Sequence, residues 1–122
     1  MRMEKVNEMM KREISNILQF GDIKDPRVNF VTILNVDVSK DLQYARIRFS
    51  ILSDKLEDIK EAQDGLNSCR GFIRKLVGQK LVMRYTPELH FIFDKGIQYA
   101  VEIDKKLQEI KEQNDREGKL NE

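Results

Sequence analysis

The 122-residue chain contains no tryptophan, one cysteine, one histidine and two prolines. A single cysteine cannot form an internal disulfide, and the chain has no spacing of Cys and His that is typical of a zinc site. No uncharged run approaches the about 20 residues that a helix needs to cross a bilayer, and residues 1–13 contain no apolar stretch of the signal-peptide type. These absences predict one cytoplasmic domain without a membrane span, a metal or a cofactor.

Catalytic side-chain patterns are scarce as well. His90 lies in a predicted strand without a Ser or Cys partner motif, which indicates a half-exposed strand residue rather than a catalytic base. Cys69 has a cationic neighbour in Arg70, as reactive thiols often do, but a small buried residue at a bend is the commoner explanation. No glycine-rich phosphate loop follows a strand. The sequence therefore predicts a protein that is not an enzyme and has no small-molecule substrate.

Apolar periodicity predicts a small α+β domain. Residues 2–20 carry apolar side chains at steps of three and four, which predicts a helix that Gly21 ends. The segments NFVTILNVDVS and QYARIRFSIL alternate between apolar and polar residues and predict an antiparallel hairpin. In its first strand, Leu34, Val36 and Val38 are expected on the buried face.

Two helical patterns follow, separated by SCRG. The first begins near Leu56, with Ser53 or Asp54 as its predicted cap, and the second ends at Gly78. Because Gly71 weakens a helix interior by about 1 kcal/mol relative to Ala, we expect two helices that meet at a bend. The segment KLVMRYTPELHFIFD then predicts a third strand, in which Pro87 limits where pairing can begin.

A last helix is predicted after Asp94, which would cap it. Its apolar residues are Ile97, Ala100, Ile103, Leu107 and Ile110. Residues 1–113 are interpreted as one domain and residues 114–122 as a polar, frayed tail. The predicted order is helix, strand, strand, helix, bend, helix, strand, helix, with the helices packed on one face of a three-stranded sheet.

The charges balance overall but are segregated along the chain. Lys and Arg number 22, and Asp and Glu number 21. Residues 65–87 contain five basic side chains and no acidic one, whereas residues 54–64 contain five acids. Clustered cations without counter-charge attract phosphate and release its counterions, although a solvated basic helix face is the competing interpretation. We call these five residues the basic segment: Arg70, Arg74, Lys75, Lys80 and Arg84.

Two further observations bear on nucleic-acid binding. Arg46 and Arg48 extend the cationic set onto the second strand, although the competing interpretation is that they only keep the outer sheet face hydrated. The SCRG motif is comparable to the GxxG loop of KH domains, in which glycines let the backbone approach a nucleic-acid strand. Since only its second glycine, Gly71, is present, a KH-like scaffold here is expected to bind structured RNA by shape and phosphate. Gly71 can also be interpreted as a helix-packing glycine, and the two interpretations are compatible.

Three blocks of the sequence closely resemble bacterial ribosome-binding factor A, in order and spacing across about residues 1–110. They are DPRVNFVTILNVDVSKDLQYARI, LNSCRGFIRKLVGQKLVMRYTPELHFIFD and IQYAVEIDKKLQEI. The resemblance implies a type II KH-like fold in which a helix–helix bend of pattern Ala-x-Gly replaces the GxxG loop. The corresponding residues here are Cys69, Arg70 and Gly71. Cys69 departs from the family's alanine, but both residues are small, so the bend is expected to survive.

The resemblance also implies a function in late maturation of the small ribosomal subunit. The family supports formation of the mature 5′ end of the subunit's rRNA and growth in the cold, and leaves with the help of a ribosome-assembly GTPase. We therefore expect the chain to bind precursor rRNA without cutting it, with phosphates at the basic segment and secondary contacts at Arg46 and Arg48. The tail after Gln113 carries two basic residues against three acids, so it is not expected to contact RNA.

Two other functions stay open at this point. A protein–protein interaction module without RNA contact would use the basic residues for solubility alone. A small hydrolase would have to depend on His90, the single histidine, which makes it remote. The polar outer faces of the predicted elements indicate a monomer.

Overall fold

The computed structural model describes residues 2–21 and 23–94. Its elements are α1 (Met3–Phe20), a short 3-10 helix (Pro26–Val28), β1 (Thr32–Val38), β2 (Tyr44–Ser50), α2 (Leu56–Lys80) and β3 (Glu88–Phe93). The strands form one sheet in the order β1-β2-β3, in which β1 and β2 are antiparallel and β2 and β3 are parallel. The predicted α+β class and the predicted hairpin are confirmed. The predicted last helix, the domain boundary at residue 113 and the tail lie outside the described residues.

Both helices cover the same face of the sheet. α1 buries Val6, Met10, Ile14 and Ile17, whose spacing places them on one side of the helix, as predicted. Gly21 follows the last turn of α1, in the position the sequence predicted. On the inner face of the sheet the buried residues of β2 and β3 are Ala45, Ile47, Phe49, Leu89 and Phe91. On the outer face of the sheet, Tyr44, Arg46 and Ile92 are exposed.

β1 departs from simple alternation. Its pairing with β2 shifts register between Ile33 and Asn35, which marks a β-bulge. A bulge adds one residue to one strand and thereby changes which residues before it face the core. Ile33 is consequently buried together with Val36 and Val38, whereas Leu34 is half-exposed. The prediction that Leu34 lies on the buried face is wrong.

α2 is one uninterrupted helix that runs through Cys69, Arg70 and Gly71. The prediction of two separate helices is therefore wrong. Gly71 costs about 1 kcal/mol in a helix interior, but Leu66 and Ile73 on either side of it are both fully buried and contribute about 1.5–3 kcal/mol each. Packing on both sides of the glycine outweighs its cost. A change of axis direction within the continuous helix stays a prediction.

The N-terminal end of α2 also differs from expectation. The N-cap is Lys55, which makes no side-chain capping bond, so the prediction of Ser53 or Asp54 as the cap is wrong. Ser53 lies two residues before the N-cap position. Its hydroxyl instead joins the segment before α2 to the first turn of the helix. It donates a hydrogen bond to Asp58 Oδ2 at 2.6 Å and accepts one from the Lys55 N–H at 3.2 Å.

The C-terminal end of α2 has the hydrogen bond of a Schellman motif. The Met83 N–H donates to the Gly78 carbonyl oxygen at 3.1 Å, and Val82 between them has a φ of 50°. The helix thus continues two residues beyond Gly78, where the sequence predicted its end. Gly78 instead allows the helix to approach the Thr86 side chain, which a Cβ atom would clash with. This approach brings the end of α2 against the start of β3.

Candidate nucleic-acid interface

Two arginines of the basic segment lie on the side of α2 that faces β3. Arg70 and Arg74 are four residues apart and so share one side of the helix. Gln63, on that same side, donates from Nε2 to the Phe91 carbonyl oxygen of β3 at 2.9 Å. Arg74 in turn donates from Nε at 3.1 Å and from Nη2 at 2.8 Å to the carbonyl oxygen of Thr86, just before β3.

The other three members of the basic segment point away from this side. Lys75 lies about 100° further round the helix than Arg74. Lys80 is the last residue of α2, and Arg84 lies in the loop that follows. All three are exposed. The basic segment therefore forms a cationic end of the molecule, around the C-terminal half of α2, rather than a single row of side chains.

Among the described residues, no carboxylate forms an ion pair with these cations. Across residues 2–21 and 23–94, the ion pairs join Arg27 to Asp25 and His90 to Glu88, so neither uses a predicted RNA-binding residue. The acids of residues 54–64 lie toward the opposite end of α2, away from the basic segment. A cluster of exposed cations of this kind creates a positive potential that attracts polyanions.

Part of the charge segregation has a structural explanation. Glu57 and Asp58 occupy the first turn of α2 and Lys80 the last turn, which is the arrangement that the helix dipole favours. That effect falls off beyond the end turns, so it does not account for Arg70, Arg74 or Lys75. The helix dipole therefore accounts for Lys80 alone, and the solvated-face interpretation stays open for the basic segment.

Arg46 and Arg48 lie on a different surface from the basic segment. They point from β2 to the outer face of the sheet, whereas α2 packs on the inner face. Arg48 Nη1 donates to Asn35 Oδ1 of β1 at 3.1 Å, which orients the guanidinium along this face. The structure therefore does not bring all seven predicted cations together but divides them into two groups.

Sequence reasoning missed two exposed tyrosines between these groups. Tyr85 directly follows Arg84 and is 77% exposed, and Tyr44 precedes Arg46 on the outer sheet face and is 46% exposed. The Tyr44 ring lies 5.5 Å from the His90 ring, measured between centroids. The available signal was the alternation of aromatic and basic residues in RYT and QYAR, a pattern that suits RNA binding.

Cys69 and Gly71 have different environments. Cys69 is half-buried against the core, and burial raises the pKa of its thiol, which is the opposite of what a reactive cysteine needs. Gly71 is exposed, and a Cβ atom built on it would meet nothing within 4 Å. The helix-packing interpretation of Gly71 is therefore wrong. Gly65 has that role instead, because its Cβ would lie 2.8 Å from Cβ of Arg27.

No catalytic or metal centre emerges in the described part of the chain. His90 is half-exposed, as predicted, and its Nε2 lies 3.6 Å from Glu88 Oε1. Within residues 2–21 and 23–94, no group of three or more His, Cys, Asp and Glu side chains is placed to hold a metal ion. None of the described helices combines the length and the apolar character that a bilayer crossing requires.

Comparisons with known proteins agree with this geometry. The family model described as ribosome-binding factor A matches residues 2–107. Ribosome-binding factor A of Clostridium botulinum is 45% identical over 109 residues, which cover 88% of this chain and 93% of that protein. The crystal structure of ribosome-binding factor A from Thermus thermophilus superimposes with a TM-score of 0.67 at 19% identity, covering 79% of this chain and 100% of that one.

This chain also matches a second Thermus thermophilus structure, which comes from a complex with the 30S subunit. It is a homology model of ribosome-binding factor A fitted into a cryo-EM map of a complex with the 30S subunit. It matches with a TM-score of 0.59 at 20% identity, over 72% of this chain and 90% of that one. The two structural matches establish the shared fold, consistent with the type II KH-like architecture. Since the family model and the 45% identical relative each span most of the sequence, this chain belongs to the ribosome-binding factor A family.

Proposed function

We propose that this chain binds the immature small ribosomal subunit through rRNA phosphates and assists late maturation of that rRNA, including its 5′ end, without cutting it. Membership of the ribosome-binding factor A family supports this proposal, as does the 30S complex of the Thermus thermophilus protein. A cytoplasmic location, a monomeric state, a contribution to growth in the cold and release by a ribosome-assembly GTPase complete the proposal.

The observation that carries the proposal is the group of cations around the C-terminal half of α2, none of which is in an ion pair within residues 2–21 and 23–94. Lys75, Lys80 and Arg84 are exposed, and none of them is in an ion pair with a described carboxylate. Arg74 is held by the Thr86 carbonyl oxygen, which fixes its guanidinium before RNA arrives. A preorganised cation loses less side-chain entropy on binding than a free one.

The absence of a nucleophile–base pair around His90 suits a protein that holds RNA rather than cleaves it. Rigid attachment of a basic surface to phosphates stabilises one arrangement of the rRNA helices over others. The protein would act as a temporary support, so its removal would require a competing factor, in agreement with the GTPase that the family resemblance implies.

The test is sedimentation of the purified chain with immature small subunits over a series of salt concentrations. A site that uses about five phosphates is expected to give a log-log slope of roughly −3.5 to −4.5 for affinity against salt. The double variant Lys75→Glu with Arg84→Glu is expected to abolish co-sedimentation. Both side chains are exposed and lack a described hydrogen bond, so stability should change by no more than about 0.5 kcal/mol.

The matched control is Lys5→Glu with Arg12→Glu, an equal charge change on the exposed face of α1. It is expected to weaken binding only through net charge, and therefore far less. Co-sedimentation that does not depend on salt, or that survives Lys75→Glu with Arg84→Glu, would contradict the proposal.

One observation favours the second candidate, a protein–protein interaction module. Phe30 and Leu52 are 77% and 82% exposed and line the same two adjoining hollows at the end of the sheet opposite the basic segment. Paired exposed apolar side chains are common at protein contacts. If Phe30→Ser with Leu52→Ser abolished co-sedimentation while Lys75→Glu with Arg84→Glu did not, this function would replace RNA binding.

A further inference from the structure

A notch of about 470 Å³ lies between the β1–β2 turn, α2 and the start of β3. Its lining includes Tyr44, Tyr85, Thr86 and Arg74, and its volume is within the range of small-molecule sites. We propose that this notch binds one unpaired RNA nucleotide, with the base stacked on the tyrosines and the adjacent phosphate held by Arg74. The inference rests on the proposed function and names a ligand subsite for it.

The two tyrosines provide the aromatic surface. Tyr85 is 77% exposed and Tyr44 is 46% exposed, so their rings are accessible in the free protein. The contact between the Tyr44 and His90 rings limits how Tyr44 can turn. Exposed aromatic rings next to cations are the common device for binding unpaired bases, because every base has a π-face.

Arg74 provides the phosphate contact. A guanidinium has five N–H groups, and Nε and Nη2 of Arg74 each direct one to the Thr86 carbonyl oxygen. The remaining three, two of them on Nη1, make no hydrogen bond to any described residue and can bind a ligand. Arg74 and Thr86 both line the notch, so the guanidinium lies at its edge together with the two tyrosines.

Two carboxylates in the notch favour a nucleotide base as the ligand over a bare phosphate chain. Asp41 and Glu88 also line the notch. Asp41 accepts hydrogen bonds from the Ser39 hydroxyl at 2.7 Å and the Gln43 N–H at 3.2 Å, which fixes it in the β1–β2 turn. Carboxylates repel phosphate but accept hydrogen bonds from the amino groups of bases. The notch therefore suits a base, with phosphate confined to the Arg74 side.

The position of the notch explains how two separated cation groups could serve one RNA. Tyr85 follows Arg84 of the basic segment, and Tyr44 lies two residues before Arg46 on the outer sheet face. The notch lies on a path that an RNA strand can take from the basic segment to the outer face. A base inserted in the notch would fix the register of the RNA at the crossing point.

The experiment compares two fluorescein-labelled probes by polarisation at one salt concentration: a ten-nucleotide oligo(A) RNA and an inorganic polyphosphate. Tyr85→Ala is expected to weaken oligo(A) binding about 5- to 150-fold, the range that loss of one stacked base gives. It should leave polyphosphate binding unchanged. Tyr85→Phe, which keeps the ring, should bind oligo(A) like the unchanged chain, and Arg74→Gln should weaken both probes.

The matched control is Phe30→Ala, since Phe30 is also 77% exposed but lies at the other end of the sheet. It should bind both probes normally, and thermal midpoints confirm that each variant folds. The inference is overturned if the unchanged chain does not bind oligo(A), if Tyr85→Ala binds it normally, or if Tyr85→Ala loses both probes equally. In any of these cases, continued salt-dependent co-sedimentation with subunits would show that the proposed function stands without the notch.

Discussion

At the scale of single residues, Val82 is the clearest departure from ordinary chain geometry. Its φ of 50° is a left-handed conformation that a β-branched side chain seldom adopts and that glycine adopts freely. The side chain is 88% exposed, so it gains no packing in return. Strain of this kind is often found at functional sites, and Val82 lies between Lys80 and Arg84 of the basic segment.

We expect Val82→Gly to raise the free energy of unfolding by about 1 kcal/mol. The relief of the left-handed penalty, about 1–2 kcal/mol, exceeds the extra unfolded-state entropy that glycine brings. The measurement is urea denaturation. Leu52→Gly is the control: Leu52 is similarly exposed, at 82%, but has no positive φ, and this variant should be less stable. An equal loss of stability in both variants would show that the φ at Val82 imposes no strain.

At the scale of elements, sequence reasoning succeeds where local patterns decide the structure and fails where packing against other elements decides it. The hairpin, α1 and the start of β3 directly after Pro87 follow from periodicity and from proline chemistry, which are local properties. The continuity of α2 does not, because it depends on burial of Leu66 and Ile73 by other elements. The bulge in β1 likewise depends on its pairing partner, so Leu34 could not be placed from its own strand.

A substitution at Gly71 tests how much helix propensity, as opposed to packing, contributes to the stability of α2. We expect Gly71→Ala to stabilise the protein by about 0.5–1 kcal/mol, because alanine favours the helix and its Cβ meets nothing within 4 Å. Gly65→Ala is the contrasting variant, since its Cβ would lie 2.8 Å from Arg27 Cβ and 3.0 Å from Val28 Cγ1. It should lose about 1–3 kcal/mol. Chemical denaturation measures both, and destabilisation by Gly71→Ala would contradict the open environment described for it.

At the scale of the whole molecule, the 3-10 helix packs against α2 at Gly65 and is also held there by Arg27, which pairs with Asp25. Arg27 donates to both carboxylate oxygens of Asp25 and, from Nη2, to Ser68 Oγ of α2 at 3.3 Å. The side-chain and backbone hydrogen bonds from Arg27 hold the pKa of Asp25 below its ordinary value. The native state therefore binds fewer protons here than the unfolded state, so this pair stabilises the fold above the ordinary carboxyl pKa.

We expect that stabilisation to disappear as pH falls through the lowered pKa of Asp25. The variant Asp25→Asn should be less stable than the unchanged chain near neutral pH, and the two should converge in acid. Thermal midpoints measured from pH 7 downward check this. Glu4→Gln, at an exposed position in the first turn of α1, is the control for general loss of negative charge. A constant difference between Asp25→Asn and the unchanged chain at every pH would contradict the linkage.

The sequence reveals the basic segment but does not reveal the notch. The charges of the basic segment are visible as a run without acids in residues 65–87. The meeting of Arg74, Tyr44 and Tyr85 is not visible, because it depends on the parallel register that sets Tyr44 beside Glu88. Long-range pairing of this kind is the least predictable feature from one chain alone.

That parallel register also sets an order of events during synthesis. β1 and β2 are joined by a short turn and can pair early, but β3 cannot pair with β2 until the whole of α2 has been made and has crossed the sheet. The tyrosine notch is consequently among the last surfaces to form. A nascent chain that has not yet paired β3 with β2 would therefore lack the notch, so a ligand of the notch could bind only after that pairing.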